Sequence, residues 1–456
     1  MKFRTALIIS VCFLSWAPFS AQAAPAAEFM LKNGMKIIVK EDNRAPTVAH
    51  MIWYKIGSMD ELNGTTGVAH ALEHMMFKGT KTLKPGEFSS RVAALGGREN
   101  AFTSKDYTGY YQQIEKSKLE QVMSLEADRM ANLVFDKNEF AKEIRVVMEE
   151  RRLRTEDQPI GKLYEALNAA AFVAHPYRNP IVGWMDDLQH MTVADAKAWH
   201  DRWYAPNNAT MVVTGDVNAA QVRALAEKYF GKIKPKAVPV TKPQNEPVQE
   251  GLRRVTVKAP AENPYVALAF KVPTLRDVEK DDDVHALDVL ATVLDGYDNA
   301  RLSAKLVRTD RVANSVGASY SSNARGPVLF VLDGVPATGT TTVQLEALLR
   351  AEVARIAKEG VSEQELKRVK TQLIAGQIYK RDSIFGQAME IGGMEMTGIS
   401  HTKIDRIIEK LGAVTTQQVQ AVAQKYFGDD GLTIATLVPL PLSEKKPAPA
   451  AAGSRH

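Results

Sequence analysis

Apolar and polar positions along this chain follow two periods, and the switches between them mark its elements. Phe29-Met30-Leu31-Lys32-Asn33-Gly34-Met35-Lys36-Ile37-Ile38-Val39-Lys40 reads as two short strands around an Asn-Gly turn. A third strand, rich in Val, Ile, Trp and Tyr, is predicted over residues 47–56. The period then changes to that of a helix, entered through Gly64-Thr65-Thr66-Gly67, where the threonines can cap, and running on from Val68 toward Phe77. A helix near residues 87–95 stops at Gly96-Gly97, ahead of Asn100-Ala101-Phe102-Thr103, and residues 107–114 have strand composition. Helical spacing covers residues 119–132, 139–154 and 193–204, and Thr210-Met211-Val212-Val213-Thr214-Gly215 closes the half as a strand. A few strands alternating with several helices argue for an α/β or α+β fold.

Residues 232–250 carry Lys234-Pro235-Lys236, Val238-Pro239-Val240, Lys242-Pro243 and Glu246-Pro247, the composition of an interdomain linker. The half of the chain beyond this linker repeats the half before it. Met191-Thr192-Val193 through Arg202-Trp203-Tyr204 parallels Val414-Thr415-Thr416 through Lys425-Tyr426-Phe427, at an offset of 223. Val39-Lys40 parallels Val257-Lys258, and Pro46-Thr47-Val48-Ala49 parallels Pro264-Tyr265-Val266-Ala267, at an offset of 218. The expected layout is therefore a leader over 1–23, a first domain over 24–231, the linker, a homologous second domain over 251–440, and a disordered tail over 441–456.

Hydrophobic residues at 45% and charged residues at 24% are those of a soluble globular protein, and a net charge of +5 is small for 456 residues. No basic block or aromatic-interleaved stripe is present, which argues against nucleic acid as a partner. Lys2 and Arg4, the apolar run over 6–16 and Ala21-Gln22-Ala23 form a cleavable signal pattern, with the mature chain starting near Ala24. This predicts a periplasmic or secreted protein without a stable membrane anchor after processing. The single cysteine, Cys12, falls in the leader, so neither a disulfide nor a thiol nucleophile is available afterwards.

The chemistry concentrates in His70-Ala71-Leu72-Glu73-His74. On a helix, positions three and four apart share a face, so both imidazoles and the carboxylate project to one side while Leu72, Met75 and Met76 fill the other. Two His nitrogens one turn apart suit a tetrahedral zinc, with Glu73 beside the metal-bound water as general base. The order H-x-x-E-H is the inverzincin pattern. A catalytic zinc uses three protein ligands, so one must come from elsewhere. Glu143, Glu149 and Glu150 are available in the predicted helix over 139–154, and Glu143 and Glu150, seven apart, share a face. Spacing alone leaves open whether these are a ligand and its support or solvated glutamates facing Arg145, Arg151 and Arg152. In the second half, His70, Glu73 and His74 fall on Asp288, Ala291 and Thr292, or on His285, Asp288 and Val289, depending on register; in neither case do two histidines survive.

His70-Ala71-Leu72-Glu73-His74-Met75-Met76-Phe77-Lys78-Gly79-Thr80 closely resembles the signature of the pitrilysin/insulinase family of zinc peptidases, in its mitochondrial processing peptidase-like branch. Glu150, 76 residues after His74, ends a segment similar to that family's second motif. The resemblance implies one Zn2+ per chain on His70, His74 and Glu150, Glu73 as base and Glu143 as support for a ligand. It implies an α+β fold of two tandem α/β roll domains closing like a clam on a peptide or small unfolded polypeptide. Asn100, Ala101 and Phe102 look like the strand edge that binds such a substrate by backbone pairing. Active relatives commonly supply an arginine and a tyrosine from the second domain. No such pair stands out around 323–330, the run from Gly339 lacks a tyrosine, and Arg325 and Tyr320 read as structural. Three organisations are therefore compatible with the resemblance: a monomer, a homodimer, or a heterodimer with a related subunit lacking the zinc motif. The rival functions are a non-catalytic or half-site subunit that binds zinc, and zinc hydrolysis of a non-peptide substrate.

Overall fold

The computed structural model describes residues 25–442, so the leader and most of the tail lie outside the described residues. Six strands form the first sheet: β1 (Ala27–Met30), β2 (Lys36–Glu41), β3 (Thr47–Tyr54), β4 (Arg98–Thr103), β5 (Thr108–Glu115) and β6 (Ala209–Gly215). Their order is β1-β2-β6-β3-β5-β4, antiparallel throughout except for the parallel pair β2/β6. The second sheet comprises β7 (Arg253–Pro260), β8 (Tyr265–Val272), β9 (Ala313–Ser319), β10 (Val328–Pro336) and β11 (Leu432–Leu440). It is ordered β7-β11-β8-β10-β9, with β7/β11 the parallel pair. With β1 set aside, the two orders coincide. Residues 234–250, between them, form neither helix nor strand.

The helices repeat as well. Helix Val68–Met75 follows β3 as helix Asp282–Asp295 follows β8. Helices Leu119–Asn132, Lys137–Arg151 and Pro159–Ala171 follow β5 as Thr342–Glu359, Glu363–Tyr379 and Ile384–Thr397 follow β10. The third helix of each trio leaves its own half. Helix Ile384–Thr397 lays Ala388, Ile391 and Met396 on Ala49, Met51 and Trp53 of the first sheet. Helix Pro159–Ala171 lays Leu163 and Leu167 on Ala267, Ala269, Ala435 and Leu437 of the second. This exchange explains why β3 is buried at seven consecutive positions after Thr47. One face meets its own half's helices through Val48, Ile52 and Tyr54, and the other meets the visiting helix.

Two exchange contacts are complementary in size. Gly392 of the visiting helix lies so close to Trp53 that a Cβ there would stand 2.1 Å from the indole. On the other side Leu163 and Leu167 of the helix meet Ala267, Ala269 and Ala435 of the sheet, with Leu437 beside them. The helix predicted over 139–154 is α-helical only as far as Arg151 and then widens into a π turn, Arg152–Glu156, before Pro159 starts the next helix. Among the described residues no helix is long and apolar enough to cross a membrane.

Candidate metal centre

The motif helix Val68–Met75 begins at Gly67, whose φ of +88° suits glycine and whose missing Cβ leaves room for the Val182 carbonyl, 2.5 Å from where a Cβ would stand. With no side chain on Gly67 to cap the helix, Glu61 does it from six residues upstream. Its Oε2 accepts the Gly67 N–H and its Oε1 the Ala69 N–H, each at 2.8 Å. Burial pushes the Glu61 carboxyl up to about 8, against the pull of those two N–H groups. Val68, Ala69, Ala71, Leu72 and Met75 are buried in the first core, which fixes the opposite face. His70 is buried on that opposite side, while Glu73 and His74 are half-buried.

Helix Lys137–Arg151 is capped by Asp136, which accepts the N–H groups of Asn138 and Glu139. It packs through Phe140, Ile144 and Val147, spaced four and three apart. The adjoining face carries Glu143 and Glu150 against the motif helix. Glu149, the third candidate, points to solvent and pairs with Arg152 at 2.6 Å. The tertiary structure thus separates three glutamates that spacing alone left equivalent.

Glu150 Oε2 stands 3.4 Å from His70 Nε2 and 3.5 Å from His74 Nε2. One donor atom from each residue lies within 4.8 Å of the others, the two imidazole planes being crossed at 84°. Glu150 Oε2 is buried and makes no good hydrogen bond among the described residues, as expected of a lone pair aimed at a cation. Arg154 takes the other oxygen, Oε1, at 2.5 Å. Glu143 Oε2 lies 3.2 Å from His74 Nδ1 and Glu143 Oε1 2.8 Å from Lys78 Nζ. An Nδ1–H donated to Glu143 leaves the His74 Nε2 lone pair for the pocket.

The electrostatics fit a divalent cation. Burial lowers His70 to about 4, so its imidazole is neutral. The close approach of His74, and then the neighbouring positive charge against the cost of burial, holds Glu150 at about 2, so it is anionic. Burial would lower His74, but the hydrogen bond to Glu143 and the nearby Glu150 carboxylate outweigh it and raise His74 to about 9. A divalent cation held between the two carboxylates would displace that proton and leave both imidazoles neutral. Two neutral imidazoles and one carboxylate form a zinc-type donor set. A second cluster, Glu28, Glu395 and His401, already contains a cation: Lys36 Nζ lies 3.1 Å from Glu28 and 2.8 Å from Glu395.

Glu73 is not among the converging donors. Burial pushes its carboxyl above the usual range, and the hydroxyl of Thr103, donating to Oε2 at 2.5 Å, pulls it back. Thr103 ends β4, the edge strand of the first sheet, which also carries Asn100, Ala101 and Phe102. Asn100 is exposed, and its Oδ1 accepts the Ala101 N–H at 2.8 Å. Phe102 packs edge-on to Trp53 at 5.2 Å, so its ring faces the exchanged helix rather than the strand's free edge. Arg325 reaches the first half, pairing with Asp60 at 2.7 Å and donating to the Asp106 carbonyl, while the Tyr320 hydroxyl donates to the Pro273 carbonyl. Both are committed to structure. Sequence reading missed Glu61, Arg154 and the Thr103–Glu73 bond. Arg154, four residues after Glu150, was open to an i,i+4 argument; the other two span loops and left no periodic signal.

Fold and site together define a class: a two-part α+β protein whose first half carries a metal-type centre of two histidines and a glutamate. Comparison with known families agrees. A model described as "Insulinase (Peptidase family M16)" matches residues 36–184, and one described as "Peptidase M16 inactive domain" matches residues 190–373. The zinc protease PqqE of Helicobacter pylori is 34% identical over 421 residues, covering 90% of this chain and 92% of that one. The uncharacterized zinc protease YmxG of Bacillus subtilis is 28% identical, covering 88% and 96%. The crystal structure of a protease from Helicobacter pylori superposes with a TM-score of 0.86 at 31% identity, covering 91% of this chain and 99% of that one. The chain belongs to the M16 peptidase family, the insulinase or pitrilysin group, and has its clam-like α+β fold.

Proposed function

We propose that this chain is a zinc-dependent endopeptidase, acting outside the cytoplasm on peptides or small unfolded polypeptides held as an added strand. The observation that carries this reading is the convergence of His70, His74 and Glu150 around the unpaired Oε2, with Glu73 beside them but not among them. When bound, zinc supplies a Lewis acid for the scissile carbonyl and acidifies the attacking water. His70, His74 and Glu150 would hold it. Glu143 keeps His74 in the tautomer that presents Nε2, and Arg154 keeps Glu150 to one free oxygen. Glu73 accepts the proton of the attacking water and returns it to the leaving amine. The edge of β4 at Asn100, Ala101 and Phe102 pairs with the substrate through its backbone, the Ala101 N–H being released from the Asn100 side chain. Export rests on the leader pattern around Lys2, Arg4 and Ala21-Gln22-Ala23.

A second reading has its own support. Because Arg325 and Tyr320 are engaged elsewhere, the second half offers no arginine and tyrosine pair at 323–330. The chain would then be the zinc-bearing half-site of a heterodimer, completed by a related subunit. Both readings are tested by elemental analysis and by hydrolysis of a quenched fluorescent peptide, with the purified chain alone and with co-purifying partners. In Glu73→Gln, about one zinc per chain is expected to remain, while turnover drops by roughly 10²- to 10⁴-fold. Full activity in that variant refutes the assignment.

A further inference from the structure

We infer that Thr103 is a positioning residue for the base: its hydroxyl ties the Glu73 carboxylate to the last residue of the substrate-edge strand. This rests on the reading of Glu73 as base. A glutamate has three side-chain torsions, and Glu73 makes no other hydrogen bond among the described residues. The Thr103 hydroxyl, donating to Oε2 at 2.5 Å, is what limits that freedom, and it leaves Oε1 for the reacting water.

The anchor itself is stiff. Threonine is β-branched and has few χ1 choices. Thr103 is paired with Thr108 of β5, and Thr108 is fully buried with its hydroxyl donating to the Ile56 carbonyl at 3.0 Å. The turn after Thr103 is closed on itself. Ser104 N–H donates to the Tyr107 carbonyl at 2.9 Å, and Ser104 Oγ accepts the N–H groups of Asp106 and Tyr107 at 3.1 Å. Thr103 is therefore held from both sides. A peptide pairing with the free edge of β4 and the carboxylate that takes the water's proton then belong to one rigid piece. Seating the substrate and aiming the base become a single act. Sub-ångström placement of a base is worth orders of magnitude in rate, and that placement is the function assigned to Thr103.

The test uses the full zinc-loaded chain and a quenched fluorescent peptide, comparing wild type, Thr103→Val, Thr103→Ser and Glu73→Gln. Valine keeps the shape and removes the hydroxyl; serine keeps the hydroxyl. For Thr103→Val, kcat is expected to fall roughly 10- to 100-fold, with KM within about twofold. Zinc affinity by chelator competition and the thermal midpoint should match wild type, and Thr103→Ser should recover most of the lost kcat. Wild-type kcat in Thr103→Val overturns the inference, as does a loss that follows zinc affinity or appears only in KM. Failure of serine to rescue overturns it too. A zinc-loaded wild type that cleaves nothing, or an unimpaired Glu73→Gln, fails the parent reading and takes this inference with it. An impaired Glu73→Gln beside an unimpaired Thr103→Val fails this inference alone.

Discussion

The two halves run their strands and helices in the same order, yet among the described residues only the first turns two histidines and a glutamate from neighbouring helices onto one point. In the second half the helix in the motif's place, Asp282–Asp295, is buried nearly all round, from Val284 to Leu294. His285 there is 1% exposed and its Nε2 lies 3.3 Å from the Val278 carbonyl, while Asp288 accepts a hydrogen bond from Ser322. The helix packed beside it, Glu363–Tyr379, turns Leu366 and Val369 inward and offers no carboxylate there. In the first half the same contact carries Glu143 and Glu150 next to Phe140, Ile144 and Val147. One scaffold therefore supports either a packed core or a site. The site needs one helix that turns two histidines away from its apolar face and a neighbouring helix that spends part of its contact face on carboxylates.

Three measurements probe that contrast, from the largest expected effect to the smallest. His70→Ala removes one of three donors and should abolish stoichiometric zinc, whereas His285→Leu in the second half should leave zinc content unchanged; elemental analysis of both variants decides. The second is acid stability. His200, on helix Val193–Trp203, is 6% exposed, neither ring nitrogen makes a good hydrogen bond, and burial, then the charge of Lys236, lowers it to about 4. Ala423 occupies the corresponding place at the offset of 223. Above pH 6.5 the imidazole is neutral folded and unfolded, and nothing is lost. As pH falls from 6.5 toward 4 the unfolded chain takes up a proton that the folded chain refuses, costing about 3 kcal/mol, and below 4 the loss levels off. Urea unfolding against pH should show that loss in the wild type and a flatter profile in His200→Phe, whose ring can keep the stack on Tyr204. The third concerns the exchanged helices. Gly392→Ala pushes a methyl into Trp53 and should cost about 2 kcal/mol by overpacking. An unchanged unfolding free energy would mean that the helix is not seated there.

Some of this was legible from local pattern. The turn at Asn33-Gly34, the helix Leu119–Asn132 and the strand β3 stand where periodicity put them, β3 ending two residues short of the predicted 56. The π turn at Arg152–Glu156 was not, since its residues keep helical composition while the backbone widens. Helix Pro159–Ala171 was not predicted from the sequence. Its apolar face is a good helical stripe, but its partner is the other half's sheet.

By itself the sequence determined the part of the site that lies within one helical turn. His70, Glu73 and His74 share a face because 3.6 residues make a turn, whatever surrounds them. It also determined that the architecture is doubled, because the apolar spacing of a fold is carried along the chain. Which glutamate joins the histidines, what aims Glu73, and which sheet each third helix covers were decided only by tertiary structure. Those are contacts between residues tens to hundreds of positions apart, and distance in space across such separations leaves no period in the sequence.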